Sequence, residues 1–366
     1  MRIALFLGHP AHFHMLKHTA FNLKRDGHEV FFVIKKKDIL ESLCQNAGFE
    51  YFKIREGRTE SKFGLVKSVL GMEYHMWQFI YRNKIDVLVG STLSFTASKI
   101  NRINVIVMGE DDADVVPKYA RMVYPFASSV LSPKSCNNGS WEYKSVHYPG
   151  YQKLAYLHPT RFKPSRQIVQ QYNINTERPY ILMRFAKLNA HHDSGVSGIS
   201  TNIARRLIEI LSPHGKIYIT SERELESEFE QYRLHINPLD IHHVMAFATL
   251  YIGDSQSMAN EAAMLGVPSL RFNDFVGAKK IGVMEELEHV YGLTYGISSH
   301  EPEKLYAKIE ELLAMPNLRD VFQKRREKML SEKIDVTAFF TWFIENYPQS
   351  AELSKNADAE FWERFK

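Results

Sequence analysis

The sequence predicts an α/β protein built from two Rossmann-like domains, each with a parallel sheet. Short apolar segments alternate with segments of helical periodicity over the first hundred residues, and the alternation starts again at Tyr180. Strands that alternate with helices are typical of parallel sheets with right-handed crossovers. The length of 366 residues also suggests two domains, at about 150 residues per domain.

In the first half, the elements follow one another with clear local signals. The first strand, Arg2–Leu7, is an apolar run that ends at Gly8, and the helix after it ends at Asp26-Gly27. Spacings of three and four residues predict one buried helix face, made of Phe13, Leu16, Ala20 and Leu23. The other predicted strands are His28–Ile34, Phe49–Ile54, Asp86–Gly90 and Val105–Met108. The other predicted helices are Asp38–Gln45, Phe63–Arg82 and one near Val115–Met122.

The second half repeats the pattern. Its predicted strands are Tyr180–Arg184, Lys216–Thr220, Leu250–Gly253 and Val267–Phe272. Its predicted helices are Ile203–Leu211, Asp240–Ala248, Met258–Leu265, Ala278–Leu287, Pro302–Ala314 and Val336–Tyr347. We place an N-terminal domain at 1–150, a C-terminal domain at 151–335, and a returning helix with a polar tail at 336–366. The tail ends in aromatic residues that we expect to pack on the body of the protein.

Composition and charge restrict the class of protein. Apolar residues make up 45% and charged residues 24%, as in ordinary globular proteins. Residues 1–150 carry 20 Lys and Arg against 14 Asp and Glu, whereas residues 151–366 carry 26 against 28. The basic first half suits a phosphorylated small molecule or an anionic lipid surface. The excess is too small for a duplex-binding protein, and no nucleic-acid motif is present.

Two cysteines, Cys44 and Cys136, are too few for a disulfide scaffold and match no zinc motif. The first apolar run is too short for a signal peptide, and no run approaches the length of a transmembrane helix. We therefore expect a reducing, cytoplasmic location, with peripheral contact at the inner membrane face left open.

The segment 253–268 carries the most specific chemistry. A strand ends at Gly253, and small polar residues then form a turn and begin a helix. Free N–H groups at a helix start, with the hydroxyls of Ser255 and Ser257, form a site for phosphate. Glu261 lies further along the helix, from where its carboxylate could reach a ribose diol. An ordinary capped helix with a structural glutamate is the alternative interpretation.

This segment resembles the donor-binding region of GT-B-fold proteins, the MurG-type glycosyltransferases and UDP-N-acetylglucosamine 2-epimerases. The matching residues are Asp254-Ser255-Gln256-Ser257, Glu261 and Leu265-Gly266-Val267-Pro268. The opening Gly8–His14 segment, Tyr180–Phe185 and Ala190–Asp193 resemble an uncharacterised prokaryotic family with this fold, over most of residues 1–300. The resemblance implies a GT-B-like fold in which two domains face each other across a cleft, and a role in surface-polysaccharide assembly.

The sequence also departs from these enzyme families. Gln256 and Ser257 stand where the transferases commonly have glycine or alanine. The carboxylate and histidine pattern of the hydrolysing epimerases is not found, which weakens the epimerase interpretation more than the transferase interpretation.

The loop after the first strand contains three histidines, His9, His12 and His14. Ligands bind at such loops in open α/β sheets, and Gly8 permits close backbone approach. Imidazoles can act as bases or bind sugar hydroxyls. We predict His12 as the catalytic base and Gly8, His9 and His14 as acceptor-binding. Polar loop histidines without a role are the alternative.

An acidic run, Gly109–Asp114, follows the strand at Val105–Met108. Asp111 and Asp112 are the catalytic candidates, either as the base that deprotonates an acceptor hydroxyl or as sugar ligands. Acidic capping of the following helix is the alternative. If Asp111 or Asp112 is itself the base, His12 only binds the acceptor.

Other candidates for donor binding end strands of the second half. Arg184 and Lys187 could bind a diphosphate, and Ser221 and Glu222 could contact the base or ribose. The segment at His191-His192-Asp193 is a candidate phosphate loop, and helix capping is the alternative for Ser221 and Glu222.

These residues favour a glycosyltransferase that uses a nucleotide sugar, UDP-linked by resemblance, with a glycan or lipid-linked acceptor. The resemblance also implies that no metal cofactor is needed. A nucleotide-sugar epimerase or hydrolase and a non-catalytic GT-B binding module are the alternatives.

Overall fold

The computed structural model describes residues 1–35, 38–54, 62–90, 94–186, 198–277 and 280–366. The chain divides into two compact units. Unit 1 consists of Met1–Arg161 with Lys333–Lys366, and unit 2 is Phe162–Glu332. The unit boundaries thus fall after residues 161 and 332, whereas the sequence analysis places them after residues 150 and 335. None of the described helices is long and apolar enough to cross a bilayer.

The described elements alternate between strands and helices. The strands are β1 (Arg2–Leu7), β2 (Glu29–Lys35), β3 (Tyr51–Ile54), β4 (Val87–Gly90), β5 (Asn104–Met108), β6 (Ser129–Pro133), β7 (Ser145–Tyr148), β8 (Tyr180–Phe185), β9 (Lys216–Ser221), β10 (Leu250–Gly253), β11 (Ser269–Phe272) and β12 (Thr294–Ile297). The α-helices are α1 (Pro10–Arg25), α2 (Asp38–Asn46), α3 (Lys62–Asn83), α4 (Pro117–Val123), α5 (Leu154–Leu157), α6 (Arg166–Gln170), α7 (Thr201–Leu211), α8 (Ile241–Phe247), α9 (Gln256–Met264), α10 (Gly282–Glu285), α11 (Pro302–Leu313), α12 (Leu318–Glu332), α13 (Val336–Glu345), α14 (Gln349–Lys355) and α15 (Ala359–Glu363).

Each unit is built on one parallel sheet. In unit 1 the strand order is β3-β2-β1-β4-β5-β6-β7, and in unit 2 it is β12-β11-β10-β8-β9. All the paired strands run parallel. The order reverses between β1 and β4 in unit 1 and between β8 and β10 in unit 2. Ligands bind beyond the carboxyl ends of the strands at such reversal points, so these two edges are where a site is expected.

Strand β1 and helix α1 form as their sequences predict. The side chains of Ile3–Leu7 are buried, as expected for a strand covered on both faces. Helix α1 begins with Pro10 at its first position, where a missing N–H costs nothing. The predicted apolar face is buried: Phe13, Leu16, Ala20, Leu23. Beyond the helix, Gly27 adopts a φ of +89°, which glycine allows without strain.

The C-terminal segment belongs to unit 1, where α13 packs on α1. Nδ2 of Asn22 donates to Oγ1 of Thr341 at 3.2 Å, and Nε2 of His28 lies 3.2 Å from Oε1 of Glu345. Asp335 caps α13 by accepting from the Ala338 N–H. Burial acts to raise the pKa of Asp335, but hydrogen bonds from Arg161, Ala338 and Thr160 hold it below its usual range.

The aromatic residues of the tail pack on the body of unit 1, as expected. Trp362 and Phe365 are 5% and 6% exposed. Their rings lie 5.2 and 5.4 Å from the ring of Phe339 on α13. Burial of these large rings attaches the end of the chain to α13.

The sequence analysis missed some elements, each for a physical reason. Strands β6 and β7 are short and contain serine, proline and histidine, so their apolar runs are weak. Helix α12 is strongly polar and buries only Leu318, Phe322 and Met329. The helix predicted at 278–287 is a short α10 followed by a π-helical turn at Glu286–Val290, and residues 278 and 279 lie outside the described part.

Candidate functional site

The N-terminus of α9 lies at the carboxyl edge of the unit 2 sheet, directly after β10. Ser255 caps the helix, and its Oγ accepts from the Met258 N–H at 3.4 Å. Gly253 is the last residue of β10. A Cβ atom at this position would lie 2.9 Å from Cβ of Arg184, so only glycine fits. Ser257 is exposed. The first turn of α9 is therefore open to an incoming anion, which its N–H groups and helix dipole would stabilise.

Arg184 lies at the end of β8, next to this helix start. Its register partner on β10 is Gly253, and its Nη2 forms an ion pair with Glu222 beyond β9. The Arg184 side chain is 17% exposed, whereas that of Glu222 is 51% exposed. Because Glu222 lies largely in water, an anion at the edge of the sheet could replace it as the partner of Arg184.

Two further arginines, missed by the sequence analysis, lie at the same edge. Arg271 on β11 donates through Nη1 to Oε1 of Gln256 at 3.2 Å and through Nη2 to Oε2 of Glu288 at 2.7 Å. Burial lowers the pKa of Arg271, and Glu288 opposes that effect. Arg223 donates through Nη2 to the Ile199 carbonyl at 2.6 Å. The sequence did contain a signal for Arg271, because a charged residue within an otherwise apolar predicted strand indicates a specific role.

Asp254 joins the two strands at the reversal point and was also missed as a site residue. Its Oδ1 accepts from the Ala186 N–H at 2.6 Å, and its Oδ2 accepts from the Ile199 N–H at 3.4 Å. Burial raises the pKa of Asp254 to about 6, although the two N–H groups act to lower it. Asp254 thus fixes the backbone on both sides of residues 187–197, the segment that contains Lys187 and His191–Asp193. Those predicted residues lie outside the described part.

Glu261 faces the interior of unit 2, toward helix α8. Its Oε1 lies 3.3 Å from Nε2 of His242, and both side chains are less than a tenth exposed. A buried carboxylate beside an imidazole can orient the imidazole. Conversely, the imidazole can orient the carboxylate so that it binds a hydroxyl. The ribose role of Glu261 remains a prediction.

Ser221 and Glu222 follow β9 but make different contacts. The Ser221 hydroxyl donates to the Arg223 carbonyl at 2.7 Å and accepts from the Arg223 N–H at 3.1 Å, so it stabilises a local turn. Glu222 is the partner of Arg184 described above. Of these two, Glu222 has the exposed side chain that could contact a ligand.

In unit 1, the predicted histidine loop is shorter than expected, because α1 already begins at Pro10. His9 caps the helix, and His12 and His14 lie within it. Nδ1 of His9 accepts from the Ala11 N–H, and Nδ1 of His12 accepts from the Gly8 N–H, each at 3.2 Å. With Nδ1 accepting, neutral His12 carries its proton on Nε2 and presents a donor there. His14 is 9% exposed, and its ring lies 5.5 Å from that of Tyr156.

The acidic run after β5 divides into buried and exposed members. Glu110 accepts from the Gln152 N–H at 2.9 Å and forms an ion pair with Lys153. Asp112 is 7% exposed and accepts from the Asn137 N–H at 2.7 Å. Asp111, in contrast, is exposed. Glu110 and Asp112 therefore stabilise the chain, and Asp111 is the predicted catalytic carboxylate that solvent reaches.

His12 and the acidic run arise from strands that are not neighbours. Strand β4 lies between β1 and β5 in the sheet. At about 4.8 Å per strand spacing, the two loops begin roughly 10 Å apart. A molecule with several hydroxyl groups could contact both loops at once.

The described residues contain no cluster of three or more His, Cys, Asp or Glu side chains placed to hold a metal ion. The charged groups of the unit 2 edge are instead the arginines and the carboxylates that face them.

Comparison with protein-family models and with curated proteins finds no match. Solved structures do match. The S. aureus MnaA–UDP complex superposes with a TM-score of 0.67 at 14% identity, covering 95% of this chain and 97% of that one. The spinosyn rhamnosyltransferase SpnG with thymidine diphosphate gives 0.65 at 14% identity, with 94% and 100% covered. The UDP-GlcNAc 2-epimerase from Neisseria meningitidis bound to UDP-GlcNAc gives 0.64 at 13%, with 94% and 100% covered.

These similarities establish the fold. The chain has a GT-B-like fold with two Rossmann-like sheets, and its structural neighbours include both glycosyltransferases and UDP-GlcNAc 2-epimerases. The resemblance noted in the sequence is confirmed at this level. Identities of 13–14% do not distinguish between the two reactions.

Proposed function

We propose that this chain is a glycosyltransferase that moves a sugar from a UDP-linked donor to a glycan or lipid-linked acceptor in surface-polysaccharide assembly. The observation that carries the proposal is the exposed start of α9 at the reversal point of the unit 2 sheet. Arg184 on the neighbouring strand supplies a guanidinium whose partner, Glu222, is half exposed, and Arg271 holds the Gln256 side chain of the first turn. Helix N–H groups and guanidinium groups suit a diphosphate.

In this proposal, unit 2 binds the donor. The diphosphate lies at Ser255–Ser257, with Arg184 moving from Glu222 to the leaving phosphate. Charge develops on that phosphate as the glycosidic bond breaks, so fixed positive groups accelerate the step. Glu261 binds the ribose hydroxyls, and His242 holds its carboxylate. The helix and the arginines supply the electrophilic stabilisation without a resident metal.

Unit 1 binds the acceptor. Two alternatives follow from the sequence: His12 as the base, or an aspartate as the base with His12 as an acceptor ligand. The hydrogen bond from Gly8 to Nδ1 of His12 supports the second, because Nε2 then donates rather than accepts. Asp111 is the exposed carboxylate of the acidic run, so we propose it as the base and His12 as a donor to an acceptor hydroxyl.

An epimerase or hydrolase is the second candidate, favoured by the similarity to UDP-GlcNAc 2-epimerases. It would use the same donor site without an acceptor. A non-catalytic binding module is the third, favoured by the structural contacts of Glu110 and Asp112 at the unit 1 edge.

For all three candidates we infer a reducing, cytoplasmic compartment, since Cys44 and Cys136 are buried and form no disulfide.

Two measurements separate these candidates. A thermal-shift screen of UDP-, GDP-, TDP- and CMP-sugars identifies the donor class. Release of the nucleotide is then followed with and without glycan and lipid-linked acceptors. Release that depends on an acceptor supports the transferase, whereas release or sugar isomerisation without an acceptor supports the second candidate. Binding without any turnover supports the third.

A further inference from the structure

Helix α3 of unit 1 presents a line of large apolar and aromatic side chains to solvent, with three of the four exposed and Trp77 partly exposed. Leu70, Tyr74, Trp77 and Tyr81 follow one another at spacings of four, three and four residues, so they lie on one face of the helix. Leu70 is 64% exposed, Tyr74 is 52% exposed and Tyr81 is 72% exposed. The Trp77 ring lies 5.7 Å from that of Tyr74 and 6.2 Å from that of Tyr81. We call these four residues the α3 stripe.

Positive side chains stand at both ends of the stripe. Lys67 precedes Leu70 by three residues, Lys84 follows Tyr81 by three, and Arg82 is adjacent to Tyr81; all three cations are exposed. Among the described residues, no carboxylate forms an ion pair with any of the three. The stripe is therefore bordered by cations that face solvent.

Two acidic residues of the described part of the chain, one in α3 and one just after it, bind other groups of unit 1. Glu73 is the acidic residue of α3, and it is 8% exposed. Its carboxylate accepts from the N–H and the hydroxyl of Thr96, at 3.0 and 2.6 Å. Asp86, just after the helix, accepts from the Arg2 N–H at 2.7 Å. The exposed face of α3 thus combines aromatic rings with positive charge.

A shallow depression adjoins the C-terminal end of the stripe. Its volume is about 480 Å³, and its lining includes Tyr81, Arg82, Lys84 and Asn101. Two cations, a phenol and an amide around an open depression suit a phosphate-bearing headgroup.

We propose that the α3 stripe docks unit 1 onto an anionic phospholipid bilayer. The helix lies in the plane of the interface: Trp77 and the tyrosines enter at headgroup depth, and the bordering cations contact lipid phosphates. Tryptophan and tyrosine favour this depth because their rings are apolar with one polar group. Each lysine or arginine near an anionic surface adds further attraction.

The charges argue against a second copy of the chain as the occupant. Two copies joined through the stripe would bring cations together at both ends, whether the helices ran parallel or antiparallel. An anionic surface instead neutralises both ends at once. The inference does not depend on the nucleotide chemistry proposed above, because the stripe lies on α3 and not at either carboxyl edge.

The test is flotation of the full chain with vesicles, comparing phosphatidylcholine alone with phosphatidylcholine containing 30 mol% phosphatidylglycerol, at low and high salt. We expect binding to the anionic vesicles only, weakened by salt. Arg82→Glu with Lys84→Glu should lower the partition coefficient at least about tenfold. Lys324→Glu with Lys328→Glu, on the exposed face of α12, makes the same change in net charge and should have little effect.

A second pair of variants tests the apolar part. Leu70→Ser with Tyr74→Ser should also weaken binding, whereas Leu353→Ser with Tyr143→Ser, at 55% and 66% exposure, should not. Circular dichroism and thermal melting verify that each variant is folded. Absence of wild-type binding to the anionic vesicles would overturn the proposal. So would equal binding by the α3 and control variants, or a concentration-dependent dimer that Leu70→Ser with Tyr74→Ser abolishes.

Discussion

The carboxyl edges of the two sheets share a topology but differ in chemistry. At the unit 2 edge, a capped helix start adjoins Arg184 and Arg271. At the unit 1 edge, histidine N–H and exposed carboxylate groups such as Asp111 lie after the strands. One edge suits an anion, and the other suits hydroxyl groups that need hydrogen bonds or deprotonation.

The difference teaches that the same sheet arrangement can present different chemistry at its carboxyl edge, as the proposed transfer reaction would require. Position at the reversal point is a property of the fold, whereas the ligand depends on the few side chains placed there. Unit 1 also uses two of its acidic residues, Glu110 and Asp112, for structural contacts. The number of acidic residues in a loop therefore overstates how many of them are available for catalysis.

The largest expected effect concerns the unit 1 edge. Asp111→Asn should lower kcat by about 10²–10⁴, the usual contribution of a positioned base. Asp114→Asn, another exposed member of the same run, is the matched control and should retain activity. His12→Ala should mainly raise the acceptor KM, because it removes a hydrogen-bond donor. Steady-state kinetics with both substrates measures this. A loss of kcat in His12→Ala, with Asp111→Asn fully active, would restore the histidine as the base.

At the unit 2 edge, Glu261→Ala should weaken nucleotide binding by about tenfold to a hundredfold, through loss of a charge-assisted hydrogen bond. His242→Ala tests the alternative, since both residues belong to one buried pair. If the pair is only structural, both variants will lower the melting temperature similarly and leave the affinity unchanged. Calorimetric titration and thermal unfolding on the same samples distinguish these outcomes.

Asp254 gives unit 2 a distinctive pH dependence. Burial raises its folded pKa to about 6 from an ordinary value of 3.8. Between these values the folded chain holds a proton that the unfolded chain releases. The contribution of Asp254 to stability is thus greatest below about pH 4 and decreases by about 2–3 kcal/mol as the pH rises through 6.

Asp254→Asn should remove this pH dependence. Urea unfolding of the wild type and the variant from pH 4 to 7 measures it. The same slope of stability against pH in both proteins would show that Asp254 does not titrate in this range.

His18 of unit 1 should respond in the opposite direction, with a smaller effect because it is partly exposed. Burial, with the nearby charges of Lys17 and Arg161, lowers its pKa to about 4. The unfolded chain then binds more protons between about pH 4 and 6.5, so stability falls as the pH decreases through this range. His18→Gln should lessen acid destabilisation of unit 1, measured by hydrogen exchange of α1. Unchanged acid sensitivity would contradict the assignment.

The sequence predicted what depends on local patterns. The buried face of α1, the strand before Gly8 and the helix that begins at Ser255 all follow from spacing and residue type. Contacts between distant residues could not be read in this way. Glu110 meets Lys153, which follows a strand two places along the unit 1 sheet, and Asp254 meets Ala186 because β10 pairs with β8.

The same limit applies to the chemistry of single groups. The sequence indicated His12 as a base, but the tautomer depends on the Gly8 N–H that faces its ring. Arg223 lies in a turn that matches no motif, and Arg271 lies in a predicted strand that follows the matched segment but is not part of it. Arg271 contacts Gln256 in the first turn of α9, and Arg223 acts on the charge of Asp254, two relations that only the folded sheet defines.

The most direct test of the account is nucleotide binding at the exposed start of α9. Isothermal titration with the nucleoside diphosphate that gives the largest thermal shift, UDP by expectation, should show binding to the wild type. Ser257→Trp should weaken this at least about tenfold by covering the helix N–H groups, whereas Ser257→Ala should bind within about threefold of the wild type. Equal affinity in Ser257→Trp and the wild type, with both folded, would contradict the claim that unit 2 binds the donor there.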